Sequence, residues 1–271
     1  MRLGVHLPQF RVPVTGEQVA AAARAAEAAG ADDLWVSDHL ILPAGSTSPP
    51  EVFHDPLTVL TWAAAVTRRA GLGTSVLVAP YRHPVVLAKA LASLDALSGG
   101  RVVCGIASGW MEGEFRAVGA PFSRRGAHTD EAIRTMRALW RGDRVPGRPE
   151  LDGLRIAPPP ARAGGPAVWI GGNSDAGLRR AVRLGDGWHT TVNDPARLAE
   201  RLTRLDALLA ERGRDRAGLV VSVRVRAEAD RVAALAPQLA ALGVDHLLVD
   251  PARIEPERLG EQVAEFRNAV G

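Results

Sequence analysis

The sequence predicts a single closed α/β barrel spanning residues 1–271, in which eight strands are each followed by a helix. Three observations lead there. Short apolar or β-branched runs alternate with longer amphipathic runs, giving about eight β-then-α units. The 271 residues match the length of one such barrel. The open doubly wound sheet shares the alternation, but as a dinucleotide fold it needs a G-x-G-x-x-G turn after its first strand, and none is present.

The elements follow in order. Leu3–Leu7 reads as the first strand and Gly16–Ala29 as its helix, with Gly30 suited to the helix end. Asp33–Val36 is the second strand and Pro56–Arg69 its helix. Leu72–Val78 reads as one continuous third strand. Pro84–Leu97 is helical, with proline in the first turn, where its missing N–H is tolerated. Arg101–Ile106 is the fourth strand. A longer excursion, Trp110 to Gly126, precedes a helix at Thr129–Trp140. Arg141–Pro166 is rich in Pro and Gly and reads as a loop over one face, with at most a short extended run at Leu154–Ile156. The alternation then resumes. The strands are Ala167–Ile170, Gly187–Thr191, Leu219–Val225 and Val244–Val249. The helices are Asp175–Leu184, Pro195–Arg212, Ala229–Leu242 and Pro256–Ala269.

Composition narrows the function. A chain that is 46% hydrophobic is not mainly disordered. No apolar run reaches about 18 residues, so no membrane span is expected. The start, MRLGVHLPQF, lacks the apolar stretch of a signal peptide, so a cytoplasmic protein is expected. Cys104 is the single cysteine, which excludes an internal disulfide and a cysteine-based structural zinc site. Net charge is +3, from 33 basic against 30 acidic residues. Lys89 is the only lysine, and the arginines are interleaved with acidic residues. That pattern describes solvated helix faces rather than a nucleic-acid stripe. A small-molecule substrate is the partner this leaves, with neither nucleic acid nor membrane.

In such barrels functional groups sit at the C-terminal ends of the strands. Strand two ends in Asp38-His39. Histidine can give or take a proton near neutral pH and an adjacent carboxylate can orient it, while a capping turn is the plain alternative. Strand four ends Ala107-Ser108-Gly109-Trp110. Small residues there let a ligand approach backbone N–H groups, and Trp110 could wall a flat ring or anchor the core. Strand five runs through Gly171-Gly172-Asn173-Ser174 into a helix, which suits an anion or simply a tight turn. His189, at the end of strand six, reads equally as a hydrogen-bonded filler. Arg124-Arg125 is a surface pair or an anion clamp. No nucleophile elbow or HExxH motif is present. His6, His39, His189 and Asp250 could meet across the mouth, but His6-Leu7-Pro8 lacks the His-x-His of barrel metal hydrolases, so no metal is expected.

Taken together, four blocks resemble the bacterial-luciferase-like superfamily, and within it the F420-dependent oxidoreductases. They are LWVSDH (34–39), GTSVLVAPYRHPVVLAKALASLDALSGGRV (73–102), GIASGWMEGEFRAVGAPFSRRG (105–126) and VWIGGNSDAGLRRAVRLGDGWHT (168–190). The resemblance implies the same (β/α)8 barrel. It implies a deazaflavin ring near Asp38 and His39, with His39 as the acid/base. It also implies a non-proline cis peptide at Ser75-Val76 behind the ring. Ala107, Ser108, Gly109, Trp110, Gly171, Gly172 and Asn173 would hold the cofactor. Hydride would move through coenzyme F420 to or from a small organic substrate, with reduction the expected direction and the substrate under the Arg141–Pro166 loop. An FMN-dependent monooxygenase and a non-catalytic flavin-binding barrel are the alternatives. Sugar-phosphate dehydrogenases of the family carry an acidic residue where this chain has Trp110, and a Trp where it has Leu42-Pro43. That argues against glucose 6-phosphate. Where some members place a Lys for the cofactor tail, this chain has Asn193-Asp194-Pro195, leaving Arg197 or Arg226 as substitutes. The helices at Thr58–Val66 and Val85–Leu97 are the expected face of a homodimer.

Overall fold

The computed structural model describes residues 1–11 and 13–271. Strand β1 (Arg2–His6) leads through α1 (Gly16–Ala28) to β2 (Asp33–Val36), and α2 (Pro56–Val66) leads to β3 (Gly71–Thr74). β3 resumes after Ser75-Val76 as the two-residue β4 (Leu77–Val78), and α3 (Pro84–Ser98) follows. Next come β5 (Val102–Ala107), a short α4 (Glu112–Ala117), α5 (Arg125–Arg141) and β6 (Ala167–Gly171). The chain closes with α6 (Asp175–Leu184), β7 (Gly187–Thr190), α7 (Pro195–Ala210), β8 (Val220–Ala227), α8 (Ala229–Ala241), β9 (His246–Pro251) and α9 (Leu259–Val270).

All strand pairings are parallel, and β3 pairs with β5 through Leu72↔Val102 and Gly73↔Val103. That pairing closes an eight-stranded ring and removes the open-sheet alternative; β4 lies outside the ring, on β5 alone. The third strand is therefore not the continuous run that its residues suggest; it breaks at Ser75-Val76, where the family resemblance placed a cis peptide. The Ser75-Val76 peptide is cis, and the Ser75 amide turns to the Val36 carbonyl (2.6 Å).

Helix starts follow their sequence signals. Thr15 and Gln18 form a reciprocal capping box on α1, and Asp55 caps α2 ahead of Pro56. Apolar helix faces pack on the strands as one core. Inside the ring Trp35, Trp169 and Leu248 form a separate cluster. Trp35 fits because two neighbouring strands carry glycine: a Cβ at Gly4 or Gly73 would come within 2.6 or 2.4 Å of its indole.

Three further expectations change. The excursion after β5 contains α4, and α5 begins at Arg125 rather than Thr129. Leu154–Ile156 forms no strand; the segment holds only a 3₁₀ turn at Pro149–Leu151. The Pro/Gly-rich segment also lies on the wrong face to cover a substrate. It joins a helix C-terminus to a strand N-terminus, so it runs along the bottom of the barrel. There the Arg162 amide donates to Asp95 (3.0 Å), its guanidinium to the Gly100 carbonyl (2.9 Å), and Lys89 to the Ala157 carbonyl (2.6 Å). The mouth is covered instead by the segments after β2 and β5.

Candidate active site

A cavity of about 500 Å³ opens at the C-terminal ends of the strands. β2 contributes Asp38 and His39, and the β3–β4 break contributes Ser75 and Val76. β5 and its loop give Ala107, Ser108, Gly109 and Trp110; β6 and its loop give Gly171, Gly172 and Asn173. These eleven residues expected from sequence thus lie on one cavity, in the 300–1,000 Å³ range usual for small-molecule sites, whereas Arg197 and Arg226, expected for the cofactor tail, do not line it. Ser37, Val78, Tyr81, His189, Thr191 and Arg224 line it as well.

His39 is held, but not by its neighbour Asp38. Its Nδ1 lies 2.8 Å from Oε2 of Glu114, on α4. Glu114 is 1% exposed and also accepts from the Leu40 amide (2.6 Å) and the Tyr81 hydroxyl (3.0 Å). Burial pushes its carboxyl up, but the bonds from His39, Leu40 and Tyr81 outweigh that and hold it below the usual range. Burial and the Glu114 carboxylate push the Tyr81 hydroxyl well above its ordinary value, so it stays a donor. An ionised Glu114 takes Nδ1–H, which leaves His39 Nε2 as the nitrogen free to exchange a proton. Phe53 meets the imidazole edge-on at 5.2 Å and Trp110 at 6.2 Å.

Asp38 does different work from that expected. Its carboxylate is clamped by Arg82 (2.6 and 3.0 Å) and accepts from the Val78 amide (2.9 Å). Burial raises its carboxyl and Arg82 opposes the rise. The pair ties β2 to β4 and so fixes the wall that carries Ser75 and Val76. The orienting carboxylate for His39 comes from an element 75 residues further along the chain. Nothing in the sequence distinguished Glu114 from the exposed Glu112 two residues earlier; only the helix between them and the packing of Phe115 turn Glu114 inward.

Opposite His39, Arg224 on β8 donates to the Ser37 hydroxyl (2.9 Å) and the Ser75 carbonyl (3.1 Å). Asp250 anchors it (3.0 Å) and is itself gripped by Arg11. Burial raises the Asp250 carboxyl, but the Arg224 and Arg11 guanidinium groups pull it below its ordinary value. Burial drops His6 to about 3, so it is neutral, donates Nδ1–H to the Leu7 carbonyl (2.9 Å) and accepts from Ser37 (2.8 Å). Arg224 is thus a fixed positive charge on the cavity wall. Sequence reading missed it because it lies inside a strand that reads as ordinary alternation.

Trp110 is 64% exposed at the rim, which excludes a core anchor. Trp35 is fully buried below the cavity, stacked on His189. A side chain at Gly171 would meet Val76 at 2.9 Å and Ala107 at 3.3 Å, so glycine keeps that wall flat. The start of α6 is already engaged: Ser174 caps it, and Asp175 in its first turn pairs with Arg201 and Arg204. Arg125 lies over the Phe122 ring at 4.1 Å and donates to the Phe122 carbonyl. Among the described residues no cluster of three or more His, Cys, Asp or Glu side chains could hold a metal ion.

The sequence profile of the luciferase-like monooxygenases matches residues 1–267. The chain belongs to this family. Among luciferase-like relatives, the F420-dependent glucose-6-phosphate dehydrogenase of Mycobacterium avium is 37% identical over 178 residues, 62% of this chain and 51% of that protein. The FMNH(2)-dependent dimethylsulfone monooxygenase of Pseudomonas putida is 28% identical over 166 residues, 59% of this chain and 46% of that one. The solved structure of an F420-dependent secondary alcohol dehydrogenase with an F420-acetone adduct superposes with a TM-score of 0.82. It is 16% identical and covers 100% of this chain and 99% of that one. The luciferase-like family thus includes relatives that use a deazaflavin and relatives that use a flavin.

Proposed function

We propose that this luciferase-like barrel is a cytoplasmic F420-dependent oxidoreductase that reduces an activated C=C, C=N or carbonyl group of a small organic substrate. The observation that carries the reading is the His39–Glu114 pair on the cavity. A reductase of this kind needs a proton donor beside the point of hydride delivery, and the pair supplies one with a fixed tautomer. The cavity fits a flat ring: Val76, Ala107 and Gly171 present a low wall, Trp110 stands at the rim, and Arg224 offers positive charge to an electron-rich heterocycle. In this reading Ser75, Val76, Ala107 and Gly171 hold the ring face, and Ser108, Gly109, Gly172 and Asn173 take the phosphate side. When bound, the deazaflavin supplies hydride. His39 Nε2 exchanges the accompanying proton with the substrate, and Glu114 stabilises the imidazolium that charging creates. The mouth segments after β2 and β5 cover the substrate. Trp110 and Leu42-Pro43 leave little to bind a sugar phosphate.

The FMN-dependent monooxygenase is the second reading, favoured by the family's own description and the Pseudomonas relative. Such an enzyme must shelter its oxygenated flavin from water. The exposed Trp110 and the hydroxyl, amide and guanidinium groups along this cavity favour the reductase. A tryptophan-fluorescence titration with F420 and, separately, with FMN tests the choice. We expect micromolar quenching of Trp110 by F420 and little by FMN. Tight FMN binding with oxygen consumption would replace the reductase with the monooxygenase, and binding without turnover would leave a non-catalytic flavin-binding barrel.

The proposal extends to a homodimer. Trp62 on α2 and Val86 and Leu97 on α3 are 51%, 64% and 82% exposed on neighbouring helices. Sedimentation should give twice the chain mass, and Trp62→Asp with Val86→Asp should return the monomer. A wild-type monomer at micromolar concentration would discard this face.

A further inference from the structure

From Ser75 on the cavity wall a file of polar side chains runs down the barrel lumen, and beyond Ser75 the proposed chemistry does not use it. Ser75 Oγ lies 2.8 Å from His189 Nε2. His189 Nδ1 lies 2.8 Å from Ser222 Oγ, and Ser222 Oγ lies 2.7 Å from His246 Nδ1. His246 Nε2 then faces Asp33 Oδ2 at 3.4 Å. All of these side chains are buried. Trp35 lies flat along His189 at 5.5 Å and leans on His246 at 5.1 Å. At the far end Asp33 is gripped by Arg2 (2.7 Å), whose side chain is 61% exposed on the face opposite the cavity.

The direction of donation along this file is determined by its two ends. A carboxylate repels a lone pair, so the 3.4 Å approach favours the proton on Nε2 of His246, although the contact is too poorly aligned to be a formed hydrogen bond. With its proton on Nε2, His246 accepts at Nδ1 from Ser222. Ser222, having given its proton downward, accepts Nδ1–H from His189. Burial holds His189 neutral, so its Nε2 accepts the proton of Ser75. Reversing the file would either aim a lone pair of His246 at the carboxylate or bury an imidazolium. With its proton spent below, Ser75 Oγ accepts on its other side. Arg224 already donates to it at 3.3 Å, and one lone pair remains.

We infer that Asp33, acting through His246, Ser222 and His189, sets Ser75 as a hydrogen-bond acceptor toward the cavity and so selects a ligand that presents an N–H or O–H donor there. The ring N–H of a pyrimidinedione belongs to this class. The relay itself stands on the apoprotein; only the ligand step rests on the cofactor reading above. Asp33, His246, Ser222 and His189 are positioning residues that act through Ser75.

The test is the tautomer of each imidazole, read by long-range proton–nitrogen correlation on the full chain labelled with 15N-histidine. We expect a protonated Nδ1 on His189 and a protonated Nε2 on His246. Arg2 donates to both oxygens of Asp33, at 2.7 Å to Oδ1 and 3.2 Å to Oδ2; in Asp33→Asn the amide oxygen keeps the shorter bond, and the amide N–H takes the place of Oδ2 facing His246 Nε2. Both His189 and His246 should then exchange their pyrrole-type and pyridine-type nitrogens together, while His6 is unchanged. Adding Ser222→Ala should confine the exchange to His246. Titration with F420 and with FMN should show Asp33→Asn weakening whichever ring binds the wild type by about tenfold, the loss of one hydrogen bond.

A protonated Nε2 on His189 of the wild type, a doubly protonated His246, or an Asp33→Asn spectrum unchanged at His189 would overturn the relay. Exchanged tautomers with unchanged ring affinity would overturn the selection of a donor. A wild type that binds neither ring while showing the expected tautomers would overturn the cofactor reading, and with it the ligand step, but not the relay. If Asp33→Asn does not fold, the wild-type spectrum alone decides the tautomers.

Discussion

His39→Ala lowers turnover by roughly 10²–10⁴-fold, the usual contribution of a positioned acid/base, while ring affinity stays near that of the wild type. The measurement is single-turnover kinetics with reduced F420 and the first carbonyl or activated-alkene substrate that a screen yields. The split between turnover and affinity matters, because a packing role would disturb both. His39 is edge-on to Phe53 and Trp110 and, among the described residues, is otherwise hydrogen-bonded through Nδ1 to Glu114 alone, so its removal leaves the ring wall standing. Glu114→Gln gives a smaller loss, since glutamine can still accept Nδ1–H but offers less to a charged imidazole. Unchanged turnover in His39→Ala would remove the proton-transfer reading. The pH dependence has a definite sign. The Glu114 carboxyl is held below its ordinary value, so its contribution to stability is complete above about pH 4.3 and is lost as pH falls through the lowered folded value.

Arg82→Met destabilises the fold by about 3–5 kcal/mol, because it strands a buried carboxylate. Asp38 is 4% exposed and has Arg82 as its ion-pair partner. Urea unfolding at several pH values checks this. The deficit is largest near neutrality and shrinks as pH falls, because burial already raises the Asp38 carboxyl and losing Arg82 raises it further. A group whose folded value exceeds its unfolded value gains folded-state protons on acidification, which favours the folded state. Asp38→Asn in the same background should recover part of the loss by removing the charge. A pH-independent deficit would show that Arg82 acts through its hydrocarbon stem instead.

These two residues also show what sequence can and cannot reveal. The alternation of runs revealed the barrel, because period and length are local properties. Strand ends revealed Asp38, His39, Gly109 and Gly171, because the fold puts every such end at one mouth. The partners of those residues were hidden. Asp38 and His39 are adjacent in sequence and looked like a working pair, yet side chains of consecutive residues in extended chain point apart. Asp38 turns to Arg82 and His39 to Glu114, and neither partner carries a local signal. Arg224 was hidden for a related reason: a charged residue in a strand reads as solvent-facing until the ring closes around it. The Pro/Gly-rich segment was misjudged because composition marks a loop without telling which end of the barrel it joins.

The cavity is a product of closure as well as of sequence. Ser37, Asp38, His39, Ser75 and Val76 come from the arc β1–β4; Ala107, Gly171, His189 and Arg224 come from the arc β5–β9. Neither arc holds a complete wall, and Arg224 finds the Ser37 hydroxyl and the Ser75 carbonyl only across the lumen. The two arcs join at the β1–β9 and β3–β5 pairings. Ligand binding and closure of the ring are therefore thermodynamically linked. A bound ring holds the two arcs together, and protection of the amides at those two junctions against exchange becomes a gauge of occupancy.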